Sequence, residues 1–247
     1  LYMCSKTDKN QSLLSLGSKD AVTAKWTFEA VPDSIDLQLS SSAVMVGEQT
    51  TATAAVISGT DANAKAVLES SDPEIASVDG MTITGHKTGT VTITAKVEGG
   101  AEDGPVATVT FHVLQPSEEW GGGLYRIDGG ILSGIVEPSA ANVSANVVLY
   151  FWGNALDSAR MYRFSEGTDG AVFWHPQSNL GLAMEARSDG YIYLSNYDPN
   201  SAAQQWKLVA VDGKEGIYTF QNVGTGTYMA TQDDASNKII TLSADTS

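Results

Sequence analysis

The sequence predicts an all-β fold, and three observations lead there. Apolar and polar residues alternate over short runs such as Ile35-Asp36-Leu37-Gln38-Leu39, Thr51–Ile57, Thr90–Val97 and Val106–Val113. That period of two sends one set of side chains to each face of a strand. Glycine is abundant, at 24 residues, and Ser and Thr crowd the chain; all three disfavour helix interiors and suit tight turns or strands. The third observation is self-similarity. Leu1–Ala21 lies over Thr227–Ser247 without a gap, placing Tyr2-Met3 on Tyr228-Met229, Asp8 on Asp234 and Leu13-Leu14-Ser15-Leu16 on Ile239-Ile240-Thr241-Leu242. A chain that repeats its beginning at its end spans slightly more than one period of a longer unit. Both termini are therefore expected to cut through a domain, and Leu1 in place of an initiator Met agrees.

Composition narrows the function classes. The 247 residues suggest about two domains, and a hydrophobic content of 42% is ample for packed cores. A net charge of −15 argues against nucleic acid, which needs a basic face to displace counterions. Solubility of a secreted or surface protein explains the acidity plainly. No interleaved Asp-x-Asp-x-Asp-Gly loop suggests a cation site, and no metal or cofactor is expected. The single cysteine, Cys4, permits no internal disulfide and no metal quartet. Leu1-Tyr2-Met3-Cys4 faintly resembles a lipoprotein signal with an acylated Cys. Its counterpart Ala230 lies inside the repeat, however, so a buried strand cysteine is the expectation. No stretch is long and apolar enough to span a bilayer, and no signal peptide is visible in what reads as a piece of a longer chain.

Residues 34–115 read as short strands punctuated by Gly and Asp-Pro, the pattern of a two-sheet sandwich. Three segments go further: Val46-Gly47-Glu48 after the first strand, Ser70-Ser71-Asp72-Pro73-Glu74-Ile75-Ala76-Ser77-Val78-Asp79-Gly80 in the middle, and Thr84-Gly85-His86-Lys87-Thr88-Gly89-Thr90-Val91-Thr92-Ile93-Thr94-Ala95. Together they resemble the group 2 bacterial immunoglobulin-like family over roughly 80 residues. Leu68 departs from it, standing where that family commonly has a core Trp before the Ser-Ser-Asp turn. The resemblance implies an extracellular spacer or adhesin module without chemistry of its own.

From about Trp120 aromatics become more frequent and a period of about 45 residues appears. Gly123-Leu124-Tyr125-Arg126-Ile127, Gly170-Ala171-Val172-Phe173-Trp174 and Gly216-Ile217-Tyr218-Thr219-Phe220 open three copies. A second strand follows, Gly181-Leu182-Ala183-Met184 and Gly226-Thr227-Tyr228-Met229 aligning well and Leu132-Ser133-Gly134-Ile135-Val136 less cleanly. Third strands are expected at Val147–Phe151, Tyr191–Leu194 and Ile239–Leu242, and fourth strands at Ala159–Phe164 and Ala203–Leu208. The fourth strand of copy two carries Gln204-x-Trp206, while copy one has Arg160 and Tyr162 at these places. Three four-strand units with this motif resemble the ricin-type β-trefoil lectins over residues 120–247. The expected fold is thus an immunoglobulin-like β-sandwich followed by a β-trefoil. Trp206 should pack in the shared core, and the Gln204 side chain should cap backbone groups that a turn leaves without partners.

The third copy reaches Ser247 before its last strand, and Ala24-Lys25-Trp26-Thr27-Phe28-Glu29-Ala30-Val31 resembles Gln204–Val211. The family's fold takes twelve strands, and one trefoil built from all these segments would carry two too many. A tandem fits better: residues 1–33 are the tail of a preceding trefoil, 34–115 a spacer and 120–247 most of the next trefoil. The alternative is that the Trp26 strand completes the trefoil of residues 120–247, leaving Tyr2-Met3 and Leu13–Leu16 redundant.

Catalysis finds little support. His86, His112 and His175 are scattered, no nucleophile elbow, zinc-protease motif or phosphate loop occurs, and acidic residues such as Glu118-Glu119, Asp233-Asp234 and Glu215 fall in expected turns. The lectin resemblance implies glycan binding through an Asp just after the second-strand aromatic, an aromatic platform after the third strand, and an Asn before the Gln of Gln-x-Trp. This chain departs from it, with Met184 and Ala230 near the Asp positions and Ala203 at the Asn position. What remains is Trp152 with Asn154 and Asp157 in copy one, Tyr197 with Asn196 and Asp198 in copy two, and Asp233, Asp234 and Asn237 in copy three. Amides and carboxylates fix hydroxyls, and an aromatic face covers the C–H side of a pyranose. The expected protein is a non-catalytic, weak and multivalent glycan binder of a bacterial surface or secreted protein, with neighbouring repeats as further partners. A purely structural stalk, or an accessory region of a secreted glycosidase or protease, are the competing readings.

Overall fold

The computed structural model describes residues 2–8, 11–17, 34–57, 63–102, 104–127, 135–138, 143–152, 160–231 and 240–244. Its first element is the hairpin of β1 (Tyr2–Asp8) and β2 (Gln11–Gly17). Tyr2 pairs with Gly17, Met3 with Leu16, Cys4 with Ser15 and Ser5 with Leu14. At the other end β19 (Tyr228–Thr231) and β20 (Ile240–Ser243) pair Tyr228 with Ser243, Met229 with Leu242, Ala230 with Thr241 and Thr231 with Ile240. The sequence overlay maps each pair of one hairpin onto a pair of the other. The repeated sequence therefore encodes a repeated register, because a slip of one residue would turn every side chain to the wrong face.

Residues 34–114 form two four-stranded sheets. One runs β4 (Ala43–Met45), β10 (Val106–Leu114), β9 (Gly89–Val97), β6 (Ala66–Ser70); the other runs β3 (Ser34–Leu39), β5 (Gln49–Ile57), β8 (Thr82–Gly85), β7 (Ala76–Asp79). Alternation settles their inner faces: Val91, Ile93 and Ala95 of β9 are buried, and Val91 and Ile93 meet Phe111, Val113, Ala52 and Ile83 in one core. Leu68 lies partly buried against that core. The Ser-Ser-Asp turn is held locally, Asp72 Oδ1 accepting the Glu74 N–H at 3.0 Å and Ser71 Oγ the Thr92 N–H at 3.0 Å. Gly85 is required by space, since a Cβ there would come within 2.8 Å of Val44 Cγ2 and 2.9 Å of Val113 Cγ1.

The second domain is threefold in plan. Tyr125 bridges to Tyr162 at the start of β13 (Tyr162–Glu166), and the sheet continues through β14 (Val172–Pro176), β17 (Gln205–Ala210) and β18 (Tyr218–Asn222) to β19 and β20. The opening segment of each copy, a strand in copies two and three and a single bridge at Tyr125 in copy one, thus lies beside the closing strand of its own or the preceding copy. A second sheet is formed by β11 (Ile135–Pro138), β12 (Val147–Trp152), β16 (Ile192–Asn196) and β15 (Leu182–Ala186). The core repeats with the copies: Ile127, Trp174 and Phe220, all at the fifth position of their opening segments, converge with Tyr162, Phe164 and Trp206. Trp174 and Phe220 meet edge to face at 4.6 Å. The architecture is all-β, a sandwich followed by a β-trefoil.

One expectation is corrected. Gln204 lies in a single 3₁₀ turn, Ala202–Gln204, and the strand begins only at Gln205. The Gln204 N–H donates to Ser201 O at 3.2 Å, which tightens the chain ahead of β17 and turns the amide side chain back toward the preceding loop.

Candidate functional site

The two residues of the Gln-x-Trp motif have separate roles. Trp206 is fully buried, and its indole Nε1 donates to Met184 O at 3.1 Å, tying β17 to β15. The Gln204 amide, only 2% exposed, uses both ends. Its Nε2 donates to Asn196 O at 2.9 Å and Glu185 Oε2 at 3.1 Å, and its Oε1 accepts the Asp198 N–H at 2.9 Å. By engaging backbone groups on both sides of Tyr197, the side chain clamps the loop that leaves β16. Asp198 Oδ1 accepts the Asn200 N–H at 2.9 Å, closing the loop's tip. The side chains of Asn196, Asp198 and Asn200 are left exposed. Behind the loop, Glu185 also meets Arg187 Nε at 3.3 Å. Arg187 Nη2 in turn donates to Asn146 Oδ1 at 2.7 Å and Ser195 Oγ at 2.8 Å.

Tyr197 points from this loop into the seam between the two domains. Its ring meets His112 of the sandwich edge-on at 5.0 Å, and Phe173 and His175 at 5.0 and 5.1 Å. It also packs on a small core shared by Ala43, Met45 and Leu114 of the sandwich and Leu180 of the trefoil. Glu48, carried by the Val46-Gly47-Glu48 turn, reaches Arg163 Nη1 at 2.6 Å. The connecting chain is pinned as well, with Pro116 bridging to Ser165 and the Ser117 N–H donating to Phe164 O at 3.1 Å. The seam is thus apolar at its centre, ion-paired at one side and hydrogen-bonded along the connection.

Beside the seam opens a cleft of about 630 Å³. The sandwich lines one wall with Thr90, Thr110 and His112, outward-facing residues of β9 and β10, and the trefoil loop lines the other with Asn196, Asp198 and Asn200. Thr90 Oγ1 lies 3.0 Å from His112 Nδ1, which fixes the imidazole. Burial lowers the His112 pKa, partly opposed by the Asp198 carboxylate, so the ring is neutral at pH 7. Burial, with Asp198 adding to it, pushes the Tyr197 phenol up to about 12; it stays protonated and able to donate. His175 lies deeper and is fully buried, its Nδ1 2.8 Å from Leu182 O and its Nε2 2.8 Å from Ser165 Oγ. Because a carbonyl only accepts, Nδ1 carries the proton and Nε2 accepts from Ser165. Burial above all holds its pKa down at about 4. The described residues of the cleft therefore offer neutral donors and acceptors with one carboxylate, a set suited to hydroxyl-bearing ligands. Among the described residues no group of His, Cys, Asp or Glu is arranged to hold a metal ion.

Of the residues singled out from sequence, Asn196, Tyr197 and Asp198 share this cleft, with Gln204 directly behind them. Tyr162, at the copy-one position matching Trp206, is fully buried. Trp152 is described only as the last backbone position of β12. Asn154, Asp157, Asp233, Asp234, Asn237 and Trp26 lie outside the described residues. Met184, which stands near the position of the Asp that the lectin resemblance implies, is fully buried. Glu185, one residue on, is the carboxylate that reaches the loop's support. Strand alternation could have found it. The sandwich wall was missed because Thr90, Thr110 and His112 read individually as ordinary outward strand residues.

No family model and no curated protein matches the chain. Among solved structures it is similar to ThreeFoil, a designed threefold symmetric protein, with 14% identity and a TM-score of 0.45 over 50% of this chain and 90% of that one. It is also similar to the Haemophilus ducreyi cytolethal distending toxin, at 17% identity and a TM-score of 0.42 over 50% of this chain and 73% of that one. A third similarity is to a mosquitocidal holotoxin, at 15% identity and a TM-score of 0.44 over 78% of this chain and 21% of that one.

Proposed function

We propose that the chain is a non-catalytic glycan-binding module of a secreted or surface-attached bacterial protein, with its working site on the copy-two loop of the trefoil. The observation that carries this is the Gln204 clamp, which holds Asn196, Asp198 and Asn200 in a fixed, outward array. Pre-set hydrogen-bonding groups bind a polyol without first losing their own freedom. The resemblance of residues 120–247 to ricin-type lectins supports the ligand class. That of residues 34–115 to bacterial immunoglobulin-like modules supports the location. Trp152, Asn154 and Asp157, and Asp233, Asp234 and Asn237, are proposed as further weak subsites in copies one and three. Residues 1–33 are proposed as the tail of a preceding unit, a reading that the shared hairpin register supports.

With Met184 and Ala203 in place of the family's Asp and Asn, each site should be weak, on the order of 0.1–1 mM. Glycan-array binding of the full chain, followed by titration of each hit, tests the proposal. Asn196→Ala/Asp198→Ala, which removes two exposed side chains, should abolish measurable binding at unchanged melting temperature. Equal binding by parent and double variant, or no binding to any glycan at millimolar concentration, would refute it. The seam favours a second reading, since a fused sandwich and trefoil would also serve as a stiff stalk segment; that reading expects no glycan to bind.

A further inference from the structure

We infer that the sandwich is half of the binding site: the cleft between the domains takes a neutral oligosaccharide held from both sides, by Thr90, Thr110 and His112 on one wall and by Asn196, Asp198 and Asn200 on the other. The inference rests on the glycan reading above and deepens it, because a spacer would contribute no ligand contacts.

Three observations carry it. The first is placement. On β10, Phe111 and Val113 point into the sandwich core, which sends Thr110 and His112 outward, and the pairing of His112 with Thr90 brings a third polar group onto the same outer patch. That patch faces the trefoil loop across a volume of about 630 Å³, within the roughly 300–1,000 Å³ typical of small-molecule sites. The space exceeds what a single sugar needs. Pro199 adds apolar surface to the lining, against which the C–H face of a pyranose can rest.

The second observation is rigidity. The walls belong to different domains, yet Tyr197 packs against His112 at 5.0 Å, Glu48 pairs with Arg163 at 2.6 Å, and the connecting chain bridges into β13. Their separation is therefore set before a ligand arrives, and the ligand does not have to draw the domains together.

The third is charge. Among the described residues of the lining Asp198 is the one carboxylate and no Lys or Arg stands there, and His112 is neutral at pH 7. None of these described residues offsets a ligand carboxylate or sulfate, and the chain as a whole carries −15. Neutral hexose and N-acetylhexosamine oligomers are accommodated; sialylated and sulfated ones are repelled.

The test uses the full chain and a panel of neutral hexose- and N-acetylhexosamine-terminated oligosaccharides beside sialylated and sulfated counterparts. Binding is followed by saturation-transfer NMR and titration. Thr90→Val/Thr110→Val keeps shape and strand preference while removing two hydroxyls, and should weaken the strongest neutral hit about tenfold. Thr110→Arg, which fills the cleft from the sandwich side, should abolish binding. Asp198→Ala should do the same from the trefoil side. Melting temperatures of the variants, all changed at exposed positions, should match the parent's. If Asp198→Ala removes binding while both sandwich-wall variants bind as the parent does, the two-walled site is wrong and the trefoil loop acts alone. If no variant changes binding, or acidic glycans bind best, the site lies elsewhere and this inference fails with the glycan reading at this loop. If the parent binds nothing in the panel, both fail together.

Discussion

His175 makes a quantitative prediction about acid stability. The ring is fully buried among Phe173, Tyr197, Ser165 and the Leu182 carbonyl, and burial holds its pKa at about 4 against 6.5 for an ordinary imidazole. His112 and the Arg163 guanidinium push the same way, while Arg163 is itself paired with Glu48. The sign follows from proton uptake. Between pH 6.5 and 4 the unfolded chain binds a proton at this residue and the folded chain does not, so stability falls as the pH falls through that window. The loss begins near pH 6.5, grows by about 1.4 kcal/mol per pH unit and levels off near pH 4 at about 3 kcal/mol. At pH 5 it should stand at about 2 kcal/mol. Urea unfolding at pH 7.5 and pH 5, on the parent chain and on His175→Gln, isolates the effect, because the carboxylates titrate alike in both. The parent should lose about 2 kcal/mol more than the variant over this interval. Parallel losses would show that His175 takes up its proton in the folded chain as readily as in the unfolded one. The picture of a neutral, buried imidazole would then be wrong.

Two further outcomes are expected. Trp206→Ala should cost about 3–5 kcal/mol, lowering the melting temperature sharply, because it empties a fully buried site and leaves Met184 O without its indole donor; an unchanged melting temperature would remove the Gln-x-Trp motif from the structural argument. Glu48→Ala leaves the guanidinium of Arg163, a residue only 8% exposed, without its carboxylate, and should cost on the order of 2 kcal/mol in urea unfolding. Domain melts that stay coincident and unshifted would show that the ion pair does not hold the seam.

The elements most legible in sequence were those set by local periodicity. Val91, Ile93 and Ala95 alternate and point inward, and the two overlaid ends of the chain fall on hairpins that share a register. The motif Gln204-x-Trp206 was legible because each residue acts on neighbours a few strands away in the same copy. Less visible was anything depending on two domains meeting. Nothing near Glu48 indicates that it reaches a residue 115 positions later, and no period connects Thr110 with Asn200. Tyr197 shows the limit most clearly. An aromatic after a third strand reads as a sugar platform, and the same ring also packs against His112, Phe173 and His175. How much of such a ring is left to a ligand depends on tertiary neighbours that the sequence pattern does not contain. Buried polar residues such as Asn222, which is fully buried and donates to Ala203 O at 2.8 Å and Gln205 O at 3.2 Å, were invisible for the same reason.

The seam has a consequence for how weak sites would work together. A site in the range of 0.1–1 mM supplies only about 4 to 5.5 kcal/mol, so a lone unit would release its glycan quickly. Linking two sites turns the second binding step into an intramolecular one, and avidity can then exceed either affinity by ~10²–10⁴. That gain depends on reach. A flexible linker samples many separations and pays in dilution at each, whereas a stiff one either matches the ligand spacing or fails outright. The longest strands of the sandwich have nine residues, a length of about 30 Å, and the sandwich is joined to its trefoil through packing, an ion pair and a paired connection. In a tandem of such units, neighbouring sites would be held apart by a solid body of that scale. Avidity would then select for glycans presented at a matching repeat and discriminate against equally dense but irregular ones. Loosening the seam by Glu48→Ala should weaken each two-walled site, because the ligand must then hold the walls in place itself, and should also flatten that spacing preference in a tandem protein assayed on glycans displayed at graded separations. A spacing preference that survives the substitution would locate the rigidity elsewhere than in the seam.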